Sequence, residues 1–149
     1  MTFTLSVEAM LRQLYARGAM AWAGRRDRLP DLLRPAHEPA LRELLRGSFA
    51  RLALDLMPLV KSTNLDESDP ATDPFLIIEI DLPATIDASV LRAAMEQATA
   101  LRALTGALTG VAPDEAAEVA REASSAAAMV ASVAALRGAT RPQILPSWA

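Results

Sequence analysis

Residues 113–138 read PDEAAEVAREASSAAAMVASVAALRG, and alanine is the commonest residue in the run. Alanine carries the highest helix propensity, so this stretch is committed to a helix before any tertiary contact forms. Pro113, Asp114 and Glu115 suit a first helical turn, where a missing N–H costs nothing and acidic side chains meet the positive end of the dipole. The spacing predicts a helix from about 113 to 136, stopped by Gly138. Its stripe of Val119, Ala123, Ala126, Val130 and Val133 is narrow and smooth. Such a face cannot build a core by itself and fits only a close neighbour, which another helix supplies best. Composition agrees: 52% of the chain is hydrophobic but only 4% aromatic, so the core must come from Leu, Ala, Val and Met in closely packed helices.

Three further helices follow from periodicity. Ser6 is a fitting N-cap for a helix over about 7–24, with Val7, Met10, Leu11, Leu14, Tyr15, Gly18 and Trp22 on one stripe. A second begins near Pro39 and ends or bends close to Met57, because Pro58 removes a backbone donor; Leu41, Leu44, Leu45, Ser48, Leu52 and Leu56 form its apolar face. Asp87 caps a third over about 88–106, with Leu91, Met95, Ala98, Leu101, Leu104 and Leu108 available for burial. Gly106 and Gly110 in LTGALTG read as sites of close packing.

Between the second and third helices lies FLIIEIDLP, in which Leu76, Ile78, Ile80 and Leu82 alternate with Phe75, Ile77, Glu79 and Asp81. That two-residue period predicts a strand over 75–82 with one wholly apolar face. Its backbone groups need a partner, and PLVKST at 58–63 is the nearest, giving a hairpin with the acidic loop 64–74. Incomplete pairing would leave one strand edge open to another subunit. The fold expected is therefore mainly α: a four-helix bundle-like domain over 1–138 with a short β-hairpin near 58–82, then an extended C-terminal arm, residues 139–149.

Charge is split unevenly. Residues 1–61 carry ten basic and six acidic side chains, a balance of +4, and residues 62–149 carry five and twelve, a balance of −7. A molecule polarised in this way suits head-to-tail contact with its own copies. The basic run Arg25, Arg26, Arg28 and Arg34 reads as a solvated or intersubunit face, since a sequence-specific nucleic-acid reader brings more positive charge and exposed aromatics. MTFTLSVEAM lacks the basic start and long apolar core of a signal peptide, and no apolar run reaches bilayer-spanning length.

Little in the chain points to catalysis. There is no cysteine, and the single histidine, His37, lies between prolines with Ser48 as the only hydroxyl nearby in sequence. The acidic residues Asp66, Glu67, Asp69 and Asp73 do not match a calcium-loop pattern, and no Walker lysine or Gly-rich phosphate turn is present. No catalytic residue, metal or cofactor is expected.

The segments TFTLSVEAM, EPALRELLRGSFARLALDLMPLV, FLIIEIDLP, DEAAEVAREASSAAAMV and RPQILPSW occur in an order that resembles a family of small proteins encoded by phages and prophages of gut Bacteroidetes. The resemblance implies a virion structural protein. Its layout of helices, one β element and a C-terminal arm is similar to head-to-tail connector (adaptor) proteins, which form rings beneath the portal and reach a neighbouring ring with their arms. The expected partners are thus copies of the chain in a ring and a portal or adjacent neck or tail protein, with no membrane and no sequence-specific nucleic acid. The expected location is the virion, assembled in the bacterial host cytoplasm. Another virion role or a small protein-binding regulatory module are the alternatives.

On this reading Arg141, Pro142, Ile144, Leu145, Pro146 and Trp148 bind the partner, the prolines stiffening the segment and the apolar side chains anchoring it. The alternative is a tail that folds back to cap its own core. Phe75, Ile77, Val119, Ala123, Ala126 and Val130 are the candidate subunit interface.

Overall fold

The computed structural model describes residues 1–22, 37–67, 69, 72–110 and 112–140, with only the backbone of 21, 22 and 136–140. In chain order the described elements are β1 (Thr2–Ser6), α1 (Val7–Trp22), α2 (Glu38–Asp55), β2 (Val60–Thr63), β3 (Phe75–Ile80), α3 (Ala88–Leu108) and α4 (Pro113–Thr140). The mainly helical fold with a small antiparallel β element matches the expectation. One strand, β1, was not anticipated.

The helix starts form where the caps stand. Ser6 Oγ accepts the Ala9 N–H at 3.2 Å at the head of α1. Asp87 accepts the N–H groups of Ser89 and Val90 at 3.0 and 3.3 Å at the head of α3. These acceptors satisfy amides that have no partner inside the helix. α2 ends close to Met57 as Pro58 implies, while the ends of α3 and α4 depart more from expectation. α2 stops at Asp55, two residues before Met57, and the Met57–Pro58 peptide is cis. α3 continues through Gly106 to Leu108, and α4 passes the expected stop at Gly138 to reach Thr140. A glycine inside a helix costs only about 1 kcal/mol relative to alanine, too little to end a helix whose neighbours favour it so strongly.

α3 is the centre of the molecule and packs on α1, α2, α4 and β1. It is buried on two faces. Leu91, Met95, Leu101, Leu104 and Leu108 fill the core, while Ala94, Ala100, Ala103 and Ala107 let neighbouring backbones approach. Gly106 faces α2, where an added Cβ would meet Leu44 Cδ2 at an ordinary contact distance of 3.4 Å, and no atom comes within 4 Å of such a carbon on Gly110, so close packing requires neither glycine. α2 contributes Leu41, Leu45, Phe49 and Leu52, and α1 contributes Met10 and Leu14, all buried. Each such large side chain stabilises the fold by roughly 1.5–3 kcal/mol.

The sheet is antiparallel with order β1-β3-β2. Thr2 lies opposite Glu79 and Ser6 opposite Phe75 on one side of β3, while Val60 lies opposite Ile80 and Thr63 opposite Ile78 on the other. β3 is central because its alternate residues Leu76, Ile78 and Ile80 are all apolar and all buried, joined by Phe3 and Leu5 of β1. The expected hairpin is present, and the edge that incomplete pairing would leave open at 75–82 is closed: both edges of β3 are paired, and among the described residues the outer edges of the sheet belong to β1 and β2.

Candidate protein-interaction surface

The sheet lays one face on the helices and turns the other outward. Register places Thr4 beside Ile77 and Ser6 beside Phe75 on the outward face, with Thr2, Glu79 and Ser62 at its other end. Phe75 is 45% exposed and Ile77 is half-buried. Of the residues the sequence offers as a subunit interface, these two stand together on a free surface.

The backbone beneath them is held from both sides. Where β2 ends, Asn64 continues the ladder with its side chain: Nδ2 donates to the Phe75 carbonyl at 3.1 Å, and Oδ1 accepts the Ile77 N–H at 2.8 Å. The Asn64 N–H itself donates to the Ile77 carbonyl at 3.1 Å. On the far side the Val7 N–H donates to the Pro74 carbonyl at 2.9 Å. A backbone so well fixed loses little further freedom when a partner covers it, which favours association.

The other interface candidates lie elsewhere. Val119, Ala123, Ala126 and Val130 are buried within the chain, on the face of α4 that packs along α3. The smooth stripe is already covered by an intramolecular partner and is not available to a second subunit. Arg141, Pro142, Ile144, Leu145, Pro146 and Trp148 lie outside the described residues, as does the basic run Arg25, Arg26, Arg28 and Arg34.

α4 is also tied to α1 by charge. Arg17 Nη2 and Nε donate to the Glu122 carboxylate at 2.6 and 2.9 Å, a two-point contact. That hydrogen bond raises the Arg17 pKa and holds the Glu122 carboxyl below its ordinary value. The acidic loop is closed on itself, with the Asp69 N–H donating to Asp73 Oδ2 at 2.9 Å and Arg46 donating to the Leu65 carbonyl.

A catalytic arrangement does not emerge around the histidine. His37 is exposed at the head of α2 and makes no capping contact. Ser48 is buried, and at about 1.5 Å of rise per residue it sits roughly 16 Å further along the helix. Tyr15 is nearer the head of α2, but burial and the neighbouring Glu38 carboxylate push its phenol pKa up, which keeps it a neutral hydroxyl. Among the described residues no three His, Cys, Asp or Glu side chains converge as metal ligands, and no helix is long and apolar enough to cross a membrane.

Sequence reasoning missed β1 and the edge it exposes. The signal was there in TFTLS, where β-branched Thr2 and Thr4 alternate with Phe3 and Leu5. A five-residue alternation running straight into a helix cap is short enough to pass as the approach to that helix. Comparison with protein-family models, curated proteins and solved structures gives no match, so the function must be argued from this surface and from the sequence.

Proposed function

We propose that this chain is a non-catalytic structural subunit that associates with copies of itself through the outward face of its sheet. The observation that carries the reading is the pair Phe75 and Ile77, an exposed aromatic beside a half-buried aliphatic on a backbone pinned by Asn64. Aromatic anchors on rigid backbone are the usual centre of a protein interface. Small polar neighbours, Thr4 and Ser6, let a partner approach the ring closely.

The particular assembly proposed is the head–tail connector ring of a phage or prophage particle, with residues 141–149 reaching the adjacent portal, neck or tail protein. The resemblance in motif order supports this assignment. Electron microscopy of particles from the encoding phage tests it. A closed ring of this chain at the head–tail junction is expected; its absence from purified particles would refute the connector role.

A further inference from the structure

The two open edges of the sheet are built differently. β2 is short, carries Lys61, and breaks register between Val60 and Ser62. A charged residue and a bulge are both devices that keep other strands from adding to an edge. β1 has neither. Its five residues, TFTLS, run in unbroken register with β3 and carry no charge and no proline.

The free groups on β1 follow from its pairing. Met1 and Ile80 exchange both backbone hydrogen bonds at 2.8 Å, so Phe3 and Leu5 also face β3 with their backbone groups, and Thr2, Thr4 and Ser6 direct theirs outward. The outward N–H of Ser6 is taken by Glu96 Oε2 at 3.0 Å. Thr2 and Thr4 retain an N–H and a carbonyl each with no partner among the described residues.

The first turns of α3 stand beside this edge. Ala88, Ser89 and Arg92 form with Thr2, Phe3 and Thr4 an open cleft of about 250 Å³. Arg92 is exposed and makes no ion pair among the described residues. The acids that flank it on the helix are engaged elsewhere, Asp87 on the helix cap and Glu96 on Ser6. The cleft therefore offers a strand-shaped row of hydrogen-bonding groups with the Arg92 guanidinium in its lining and the Glu96 carboxylate beyond its Ser6 end.

We propose that the outer edge of β1 is a strand-docking site that takes an extended segment of a partner protein bearing a carboxylate opposite Arg92. Backbone hydrogen bonds to Thr2 and Thr4 hold the segment, and the carboxylate sets its register. A second copy of β1 does not meet this requirement. TFTLS brings no carboxylate, and pairing the same edge of two copies sets one Arg92 near the other. The chain's own residues 141–149, RPQILPSWA, also lack an acidic side chain, and two prolines would interrupt a ladder. This site adjoins the Phe75 face at Thr4 but uses the backbone edge of β1 rather than the outward side chains of the sheet.

Binding is tested on the full chain with an acetylated, amidated pentapeptide, TVEVT, followed by amide NMR and hydrogen exchange. The Thr2 and Thr4 amides are expected to shift in a saturable way and to exchange more slowly. TVKVT should bind at least about tenfold more weakly, and TVEVT methylated at every amide nitrogen should not bind at all. Arg92→Glu should reverse the preference in favour of TVKVT with an unchanged thermal midpoint. The Phe75→Asp variant should bind TVEVT as the wild type does, which separates this site from self-association. Absence of shifts at Thr2 and Thr4 up to millimolar peptide would overturn the proposal, as would equal binding of TVEVT and TVKVT. Protection of the Thr2 and Thr4 amides before peptide is added would show the edge already covered and would equally overturn it.

Discussion

Val119→Ala separates a stripe that is covered within the chain from one that waits for a second subunit. Val119 is fully buried on α4. The substitution removes two methyl carbons, worth about 1.6 kcal/mol of transfer free energy at roughly 0.8 kcal/mol each. A residual cavity adds to this, while alanine's better helix propensity returns about 0.5 kcal/mol. The net loss is about 1–2 kcal/mol, which for a chain of this length lowers the thermal midpoint by roughly 2–8 °C. The assay is a calorimetric or circular-dichroism melt at two protein concentrations a hundredfold apart, with Met129→Ala on the exposed side of α4 as control. The same drop is expected at both concentrations, and almost none for the control. A drop that appears only at the higher concentration, or a monomer midpoint within about 1 °C of wild type, would refute the intramolecular assignment.

The Arg17–Glu122 contact adds a pH dependence of known sign. Because the Arg17 hydrogen bond holds the folded Glu122 carboxyl below its ordinary value, its contribution is present above the unfolded pKa and is lost as pH falls through the folded one. Glu122 is partly exposed, so Glu122→Gln should cost only about 0.2–1 kcal/mol at pH 7 and nothing at pH 2, measured by urea denaturation at both. Gly47→Ala should stabilise by up to about 1 kcal/mol in the same assay, since the added carbon meets no atom within 4 Å and the helix gains propensity; a loss would mean that the α2 backbone is not as described. Thr99 is buried, and its hydroxyl has no partner among the described residues, so Thr99→Val should raise the thermal midpoint rather than lower it.

Local rules carried most of the fold. Ser6 and Asp87 cap α1 and α3 as their sequence positions imply, and the leucine and methionine stripes of α1, α2 and α3 are buried. What local rules could not decide was who covers a face. The period of Val119, Ala123, Ala126 and Val130 says that something lies on them, and it says the same whether that is α3 or another subunit. Alanine hides information in a second way. Ala94, Ala100, Ala103 and Ala107 form a buried second face of α3, but alanine is as common on exposed helix surfaces, so its pattern did not mark α3 as the central helix. The sheet was half legible. FLIIEI announces a strand, yet its second neighbour comes from the start of the sequence, and pairing across about seventy residues leaves no local trace.

The outward placement of Phe75 was legible, since the wholly apolar face of Leu76, Ile78 and Ile80 is the one that the helices cover and Phe75 shares the other with Glu79. The central claim is that the outward sheet face, not the α4 stripe, joins one subunit to the next. Sedimentation equilibrium of the full chain over a wide concentration range, with Phe75→Asp and Met129→Asp beside the wild type, tests it most directly. The wild type and Met129→Asp should assemble with rising concentration, while Phe75→Asp stays at the mass of one chain with an unchanged melting curve. Assembly of Phe75→Asp to the wild-type mass, or a wild type that remains a monomer throughout, would contradict the claim.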